Sequence, residues 1–117
     1  MGFLSKIKIN QKDLILLSYP FSNLKEMKVR PALVISNNIF NNKSEDCILV
    51  PLTSVIKNEP YSIIINQENL NEGKLIKTSR IRVDKVFSVQ KNLIKMKIGV
   101  LNEDIFERVK KEFFSLI

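Results

Sequence analysis

Val29-Arg30-Pro31-Ala32-Leu33-Val34-Ile35-Ser36 sets four apolar residues in a row directly behind a proline. Proline has no amide proton to give a ladder and holds the residue before it extended, so this run predicts a strand whose first side chain, Arg30, is aimed off the rim of a sheet. Similar apolar runs recur on both sides of it: residues 13–19, stopped by Pro20, then 47–53 and 61–66. Turn-rich stretches at 20–28, 37–46 and 54–60 separate them, a hairpin-like spacing. Residues 75–83 alternate apolar and polar, and 86–89 and 95–101 keep the strand character. The tail changes period. Asn102 is a good N-cap, Glu103 and Asp104 suit a first turn, and Ile105, Phe106, Val109, Phe113 and Leu116 recur at helical spacing. The expectation is a mainly β domain, a small SH3-like barrel of bent antiparallel strands with a C-terminal helix over 102–117. Neither a repeat nor a linker breaks the chain, so residues 1–117 read as a single domain with an extension at 1–11.

Composition removes whole classes of chemistry. The chain has 117 residues, 44% of them apolar, enough for one modest core without a disulfide or metal staple. It contains no histidine and one cysteine. A Ser-His-Asp or Cys-His pair, an imidazole base and a His- or Cys-rich metal site are therefore absent, and no cofactor or metal is expected. Cys47, inside Cys-Ile-Leu-Val, reads as a small buried hydrophobe. No apolar stretch is long enough to span a bilayer and charges enter the N-terminus early, which points to a cytoplasmic chain without membrane contact. Gly2 lacks the context of a myristoylation signal, since Lys6 stands where a hydroxyl is wanted.

The net charge of +7 is concentrated. Lys74, Lys77, Arg80, Arg82, Lys85, Lys91, Lys95 and Lys97 face a single acid, Asp84, within one window, leaving eleven charges of each sign elsewhere. Such a surplus suits a polyanion, although a lysine-rich face can equally be plain solvated surface.

Two places carry polar residues that strands do not require. Arg30 precedes Pro31, and Val50-Pro51-Leu52-Thr53-Ser54 leads an apolar strand through proline to two hydroxyls. A guanidinium with planar donors and a hydroxyl beside it make an anion site; the alternatives are an ion pair of Arg30 with Glu26 and ordinary turn capping by Thr53 and Ser54. A third element, Arg80-Ile81-Arg82-Val83-Asp84, surrounds a lone carboxylate with cations that should hold it ionised. Tyr19, Phe21 and Tyr61 are aromatic platforms in reserve, with core packing the simpler use.

Taken in order, Lys12-Asp13-Leu14-Ile15-Leu16-Leu17-Ser18-Tyr19-Pro20-Phe21, Val29 to Ser36, Val50 to Ser54, Arg82-Val83-Asp84 and Ile98-Gly99-Val100-Leu101-Asn102 with its helix resemble the PemK/MazF family of toxins from type II toxin–antitoxin systems. The resemblance covers about residues 12–116 and is most specific in Arg-Pro-Ala-Leu-Val-Ile and Pro-Leu-Thr-Ser. It implies a homodimeric SH3-like barrel that cleaves single-stranded RNA without metal, leaving 2′,3′-cyclic phosphate and 5′-hydroxyl ends, and that a cognate antitoxin blocks. Catalytic roles would fall on Arg30, Thr53 and Ser54, with Arg82 and Asp84 as the acid and base pair. Lys28, Lys74, Lys77, Arg80 and Lys85 would contact RNA. Lys12 occupies a place where the family usually has glycine, and the loop 22–28 lacks the family's glycines. The rival reading is a barrel of the same fold that binds nucleic acid or protein without cutting.

Overall fold

The computed structural model describes residues 7–19 and 28–117. Of the turn expected at 20–28, residues 20–27, with Phe21 and Glu26, lie outside the described residues and Lys28 already belongs to a strand; residues 1–6 with Gly2 and the side chain of Tyr19 also lie outside them. The elements are β1 (Asp13–Tyr19), β2 (Lys28–Val34), α1 (Asn38–Lys43), β3 (Asp46–Thr53), β4 (Ser62–Ile65), β5 (Leu70–Gly73), β6 (Ser79–Arg82), β7 (Phe87–Gln90), β8 (Ile94–Leu101) and α2 (Glu103–Leu116). All pair antiparallel in one curled half-barrel with the order β4-β6-β3-β2-β1-β8-β5, and β7 pairs with β3 off this path.

Both faces of the central strands are covered, which is why their sequences are continuous apolar runs rather than alternations. Alternate residues feed two cores. Leu14, Leu33, Val50, Leu52, Ile81 and Val83 pack beneath α2 with Ile105, Phe106 and Val109. Ile15, Leu17, Ala32, Val34, Cys47 and Leu49 fill the second core on the opposite face, where the sheet curls over itself. Each fully buried aliphatic side chain here is worth about 1.5–3 kcal/mol. Burial also pushes the Cys47 thiol up to about 11, so it remains protonated and inert at neutral pH. The helix α2 starts as expected: Asn102 accepts from the Ile105 amide at 2.8 Å.

Three features depart from the sequence reading. The asparagine-rich segment taken as a turn contains α1, capped by Asn37, whose side chain accepts from the Phe40 amide at 2.8 Å. It is held by the buried Asn41, which hydrogen-bonds to Ser36, while Lys91 Nζ donates to the Asn41 carbonyl at 2.6 Å. Second, the polar segment Leu70–Gly73 is a strand, paired with β8. Gly73, at φ +86°, lies so close to β8 that a Cβ there would meet the Ile98 carbonyl oxygen at 2.0 Å. Third, the run 75–83 is a strand only over Ser79–Arg82; Leu75 is buried, its amide donating to Gln67 Oε1 at 2.8 Å, while Ile76 is exposed.

Lys12 adopts φ +80°. Its amide donates to the Val34 carbonyl and its carbonyl accepts from the Leu101 amide, both at 2.9 Å, so the chain is tied on two sides and the strained backbone is kept. Glycine would relieve roughly 1–2 kcal/mol of left-handed strain against a backbone-entropy cost of about 0.5–1 kcal/mol. Urea unfolding should therefore show Lys12→Gly more stable than the parent by about 0.5–1 kcal/mol. Lys12→Ala keeps the strain, loses only an exposed ion pair with Glu103, and should show no gain.

Candidate functional site

The β2–β3 ladder runs Val34↔Leu49, Leu33↔Val50, Ala32↔Pro51 and ends there. Pro31 withholds one of the amide donors that face β3. Continuing the same register by two residues places Arg30 level with Thr53. Strand parity puts both on the face of Ala32, Val34, Cys47 and Leu49. The sequence reading brings the two together as one anion site. Extended in this way, the register sets them opposite one another just past the last β2–β3 pair, Arg30 being paired with Leu17 of β1 and Thr53 with Arg80 of β6.

That row extends past β3. Thr53 pairs with Arg80 on β6, and Arg80 with Ile64 on β4. One step along the strands, Arg82 pairs with Ser62 and is level with Pro51. The face thus holds Arg30, Thr53 and Arg80 side by side, with Arg82 in the adjoining row. Ser54 is exposed just beyond the end of β3.

The local chemistry of each residue differs. Arg30 is exposed and, among the described residues, makes no ion pair; Glu26, its expected alternative partner, lies outside them. Thr53 Oγ1 accepts from the Val55 amide at 3.1 Å, which leaves its proton available to a ligand. Arg82 grips Asp84 with two parallel bonds, Nε to Oδ1 at 3.1 Å and Nη2 to Oδ2 at 2.8 Å. These bonds hold the Asp84 carboxyl below the usual carboxylate range and raise Arg82 above its ordinary value. A carboxylate stabilised in this way is a poor proton acceptor and a good anchor for its arginine.

The basic window divides in space. Lys74, Lys77, Lys85 and Lys95 are exposed, as is Lys28. Lys91 is committed to Asn41, and Lys97 pairs with the buried Asp13 at 3.3 Å. Arg80, an expected RNA contact, is only 3% exposed. Tyr61, at φ +58°, is half-buried at the bend before β4. Among the described residues no cluster of three metal-ligating side chains occurs, and no helix is long and apolar enough to cross a membrane. Elsewhere, an apolar cavity of about 470 Å³ opens between α1 and α2, lined by Ile35, Phe40, Val83, Phe106, Phe113 and Phe114.

Residues 10–116 match the profile of the PemK-like, MazF-like toxins of type II toxin–antitoxin systems. The chain belongs to this family. No curated protein sequence matches it. Among solved structures, the MazE–MazF complex of Deinococcus radiodurans superposes with a TM-score of 0.76 at 19% identity, covering 94% of this chain and 96% of that one. An endoribonuclease bound to its cognate antitoxin from a mycobacterial species gives 0.75 at 14% identity, covering 92% of both chains. The Mycobacterium tuberculosis toxin MazF-mt6 gives 0.72 at 13% identity, covering 88% of this chain and 93% of that one. At these identities the likeness is one of fold, and it agrees with the bent antiparallel SH3-like barrel and terminal helix implied by the PemK/MazF resemblance.

The Arg82–Asp84 pair has a definite pH signature. Because the folded carboxyl is depressed, its stabilising contribution is present above the ordinary value of 3.8 and is lost as pH falls through the lower folded value. Asp84→Asn should cost about 0.5 kcal/mol at pH 7, a partly exposed pair being worth little more. In urea titrations across pH the two stability curves should converge below the ordinary carboxylate range.

Proposed function

We propose that this toxin is an endoribonuclease that cuts single-stranded RNA by attack of the substrate's own 2′-hydroxyl on the adjacent phosphate, giving 2′,3′-cyclic phosphate and 5′-hydroxyl ends. What supports this reading is the β2–β3 register, which, extended two residues past its last pair, brings Arg30 level with Thr53. In the reaction the O2′–P bond forms and the P–O5′ bond breaks. The 2′ proton is lost to solvent and the leaving 5′-oxygen gains one. The nucleophile belongs to the RNA, so the protein has to supply orientation and charge, which suits a chain without histidine.

In this assignment the Arg30 guanidinium stabilises the non-bridging oxygens and donates toward the leaving oxygen. Thr53 donates its hydroxyl proton to a phosphate oxygen, with Ser54 beside it. Arg82, fixed by Asp84, adds positive charge from the adjoining row. Asp84 thereby serves to place Arg82 rather than to take the 2′ proton, a change from the acid and base roles implied by the resemblance. Lys28, Lys74, Lys77 and Lys85 are exposed and hold neighbouring phosphates. Single strands are preferred because a stacked A-form helix does not reach in-line geometry.

The same reading has the protein acting in the cytoplasm as a homodimer held in check by a cognate antitoxin. Family membership and the antitoxin-bound neighbours support it. So does apolar surface of the kind protein partners cover, with Phe114 64% and Ile117 83% exposed.

Purified Arg30→Ala and Thr53→Ala should each cleave an unstructured RNA roughly 100- to 1,000-fold more slowly than the parent while folding normally. Chelator should leave the parent's rate unchanged, and fragment ends should be cyclic phosphates. Near-parental cleavage by Arg30→Ala would remove the reading. Lys77→Ala and Lys85→Ala should leave the rate at saturating RNA intact but weaken binding, each lowering the log–log salt slope by about one.

A further inference from the structure

Arg80 is a buried cation that the fold does not need. Its side chain lies on the Arg30–Thr53 face, directly across the ladder from Thr53, and is 3% exposed. An apolar side chain of similar length would fill the slot without taking a charge out of water. What the guanidinium does there is specific. Its Nε donates to the Val55 carbonyl at 3.0 Å, and Nη2 comes within 4.0 Å of Glu59 Oε1. The same Glu59 oxygen lies 3.8 Å from Lys57 Nζ. Val55 is also the residue whose amide donates to Thr53 Oγ1 at 3.1 Å. Two consecutive peptide units are thus held from opposite sides: Arg80 fixes Val55, and Val55 occupies an acceptor site of the Thr53 hydroxyl. The exposed segment that follows the strand would otherwise leave that hydroxyl free to rotate.

We infer that Arg80 is a positioning residue, which acts on the reaction through Val55 and the direction of the Thr53 hydroxyl rather than by touching RNA. This rests on the assignment of Thr53 under Proposed function. It separates Arg80 from Lys74, Lys77 and Lys85 of the basic window, which act by holding phosphates.

The test is a kinetic cycle of Arg80→Met, Thr53→Ala and the double variant on the intact protein. Cleavage is followed at saturating RNA, and binding to a 2′-deoxy oligonucleotide is measured across salt. Arg80→Met is expected to slow cleavage about 10- to 100-fold with an unchanged salt slope, and on the Thr53→Ala background to cost less than about threefold. A slope lowered by about one overturns the inference, because that is the mark of a phosphate contact. A harmless Arg80→Met, or a penalty that multiplies fully in the double variant, overturns it as well. Glu59→Gln, at an exposed position, carries the same test should Arg80→Met not fold: about a threefold loss that vanishes on Thr53→Ala supports the inference, and a loss that persists there contradicts it. Parental cleavage by Thr53→Ala would instead remove the site assignment itself, so the two failures are distinguishable.

Discussion

The site depends on a ladder that stops early. Between β2 and β3 the cross-strand pairs hold from Val34↔Leu49 to Ala32↔Pro51 and stop there, two residues short of Arg30 and Thr53. The core on either side of these strands fixes their register, since slipping by one residue would exchange Leu33 and Val50 with Ala32 and Leu49 between two different apolar layers. Packing therefore sets the register that, carried two residues further, brings Arg30 level with Thr53. A cation and a hydroxyl brought level in this way form a ready place for a phosphodiester.

Much of this was legible in the sequence because prolines mark local geometry. Pro31 and Pro51 drew attention to the polar residues beside them, and the period change after Asn102 pointed to α2; the strand expected to begin at Arg30 instead begins at Lys28, with Arg30 and Pro31 paired to Leu17 and Leu16 inside it. Parts that rest on distant partners were not legible. Leu70–Gly73 has no strand character of its own and exists through β8. The helix α1, built from poor helix formers, is held by a cap and a buried asparagine. Lys12 takes a backbone conformation suited to glycine because two hydrogen bonds from other strands demand it.

Charge gave the least reliable guide. One window carries the whole surplus, yet its members have different uses once folded. Lys97 neutralises the buried Asp13, Lys91 anchors α1, Arg82 is locked to Asp84, and Arg80 is withdrawn behind Thr53. Counting cations points to a polyanion; the strand register shows that Arg80 is the one paired with Thr53. The buried Arg80 is informative because burial of a charge is costly and calls for a specific return.

The most direct test is a crystal structure of the toxin with a single-stranded oligonucleotide whose 2′-hydroxyl at the cleavage position is removed. The account predicts one phosphate within hydrogen-bonding reach of both the Arg30 guanidinium and Thr53 Oγ1, with Arg80 still on the Val55 carbonyl behind them. A bound strand whose phosphates all lie beyond reach of that pair, on another face of the half-barrel, would contradict it.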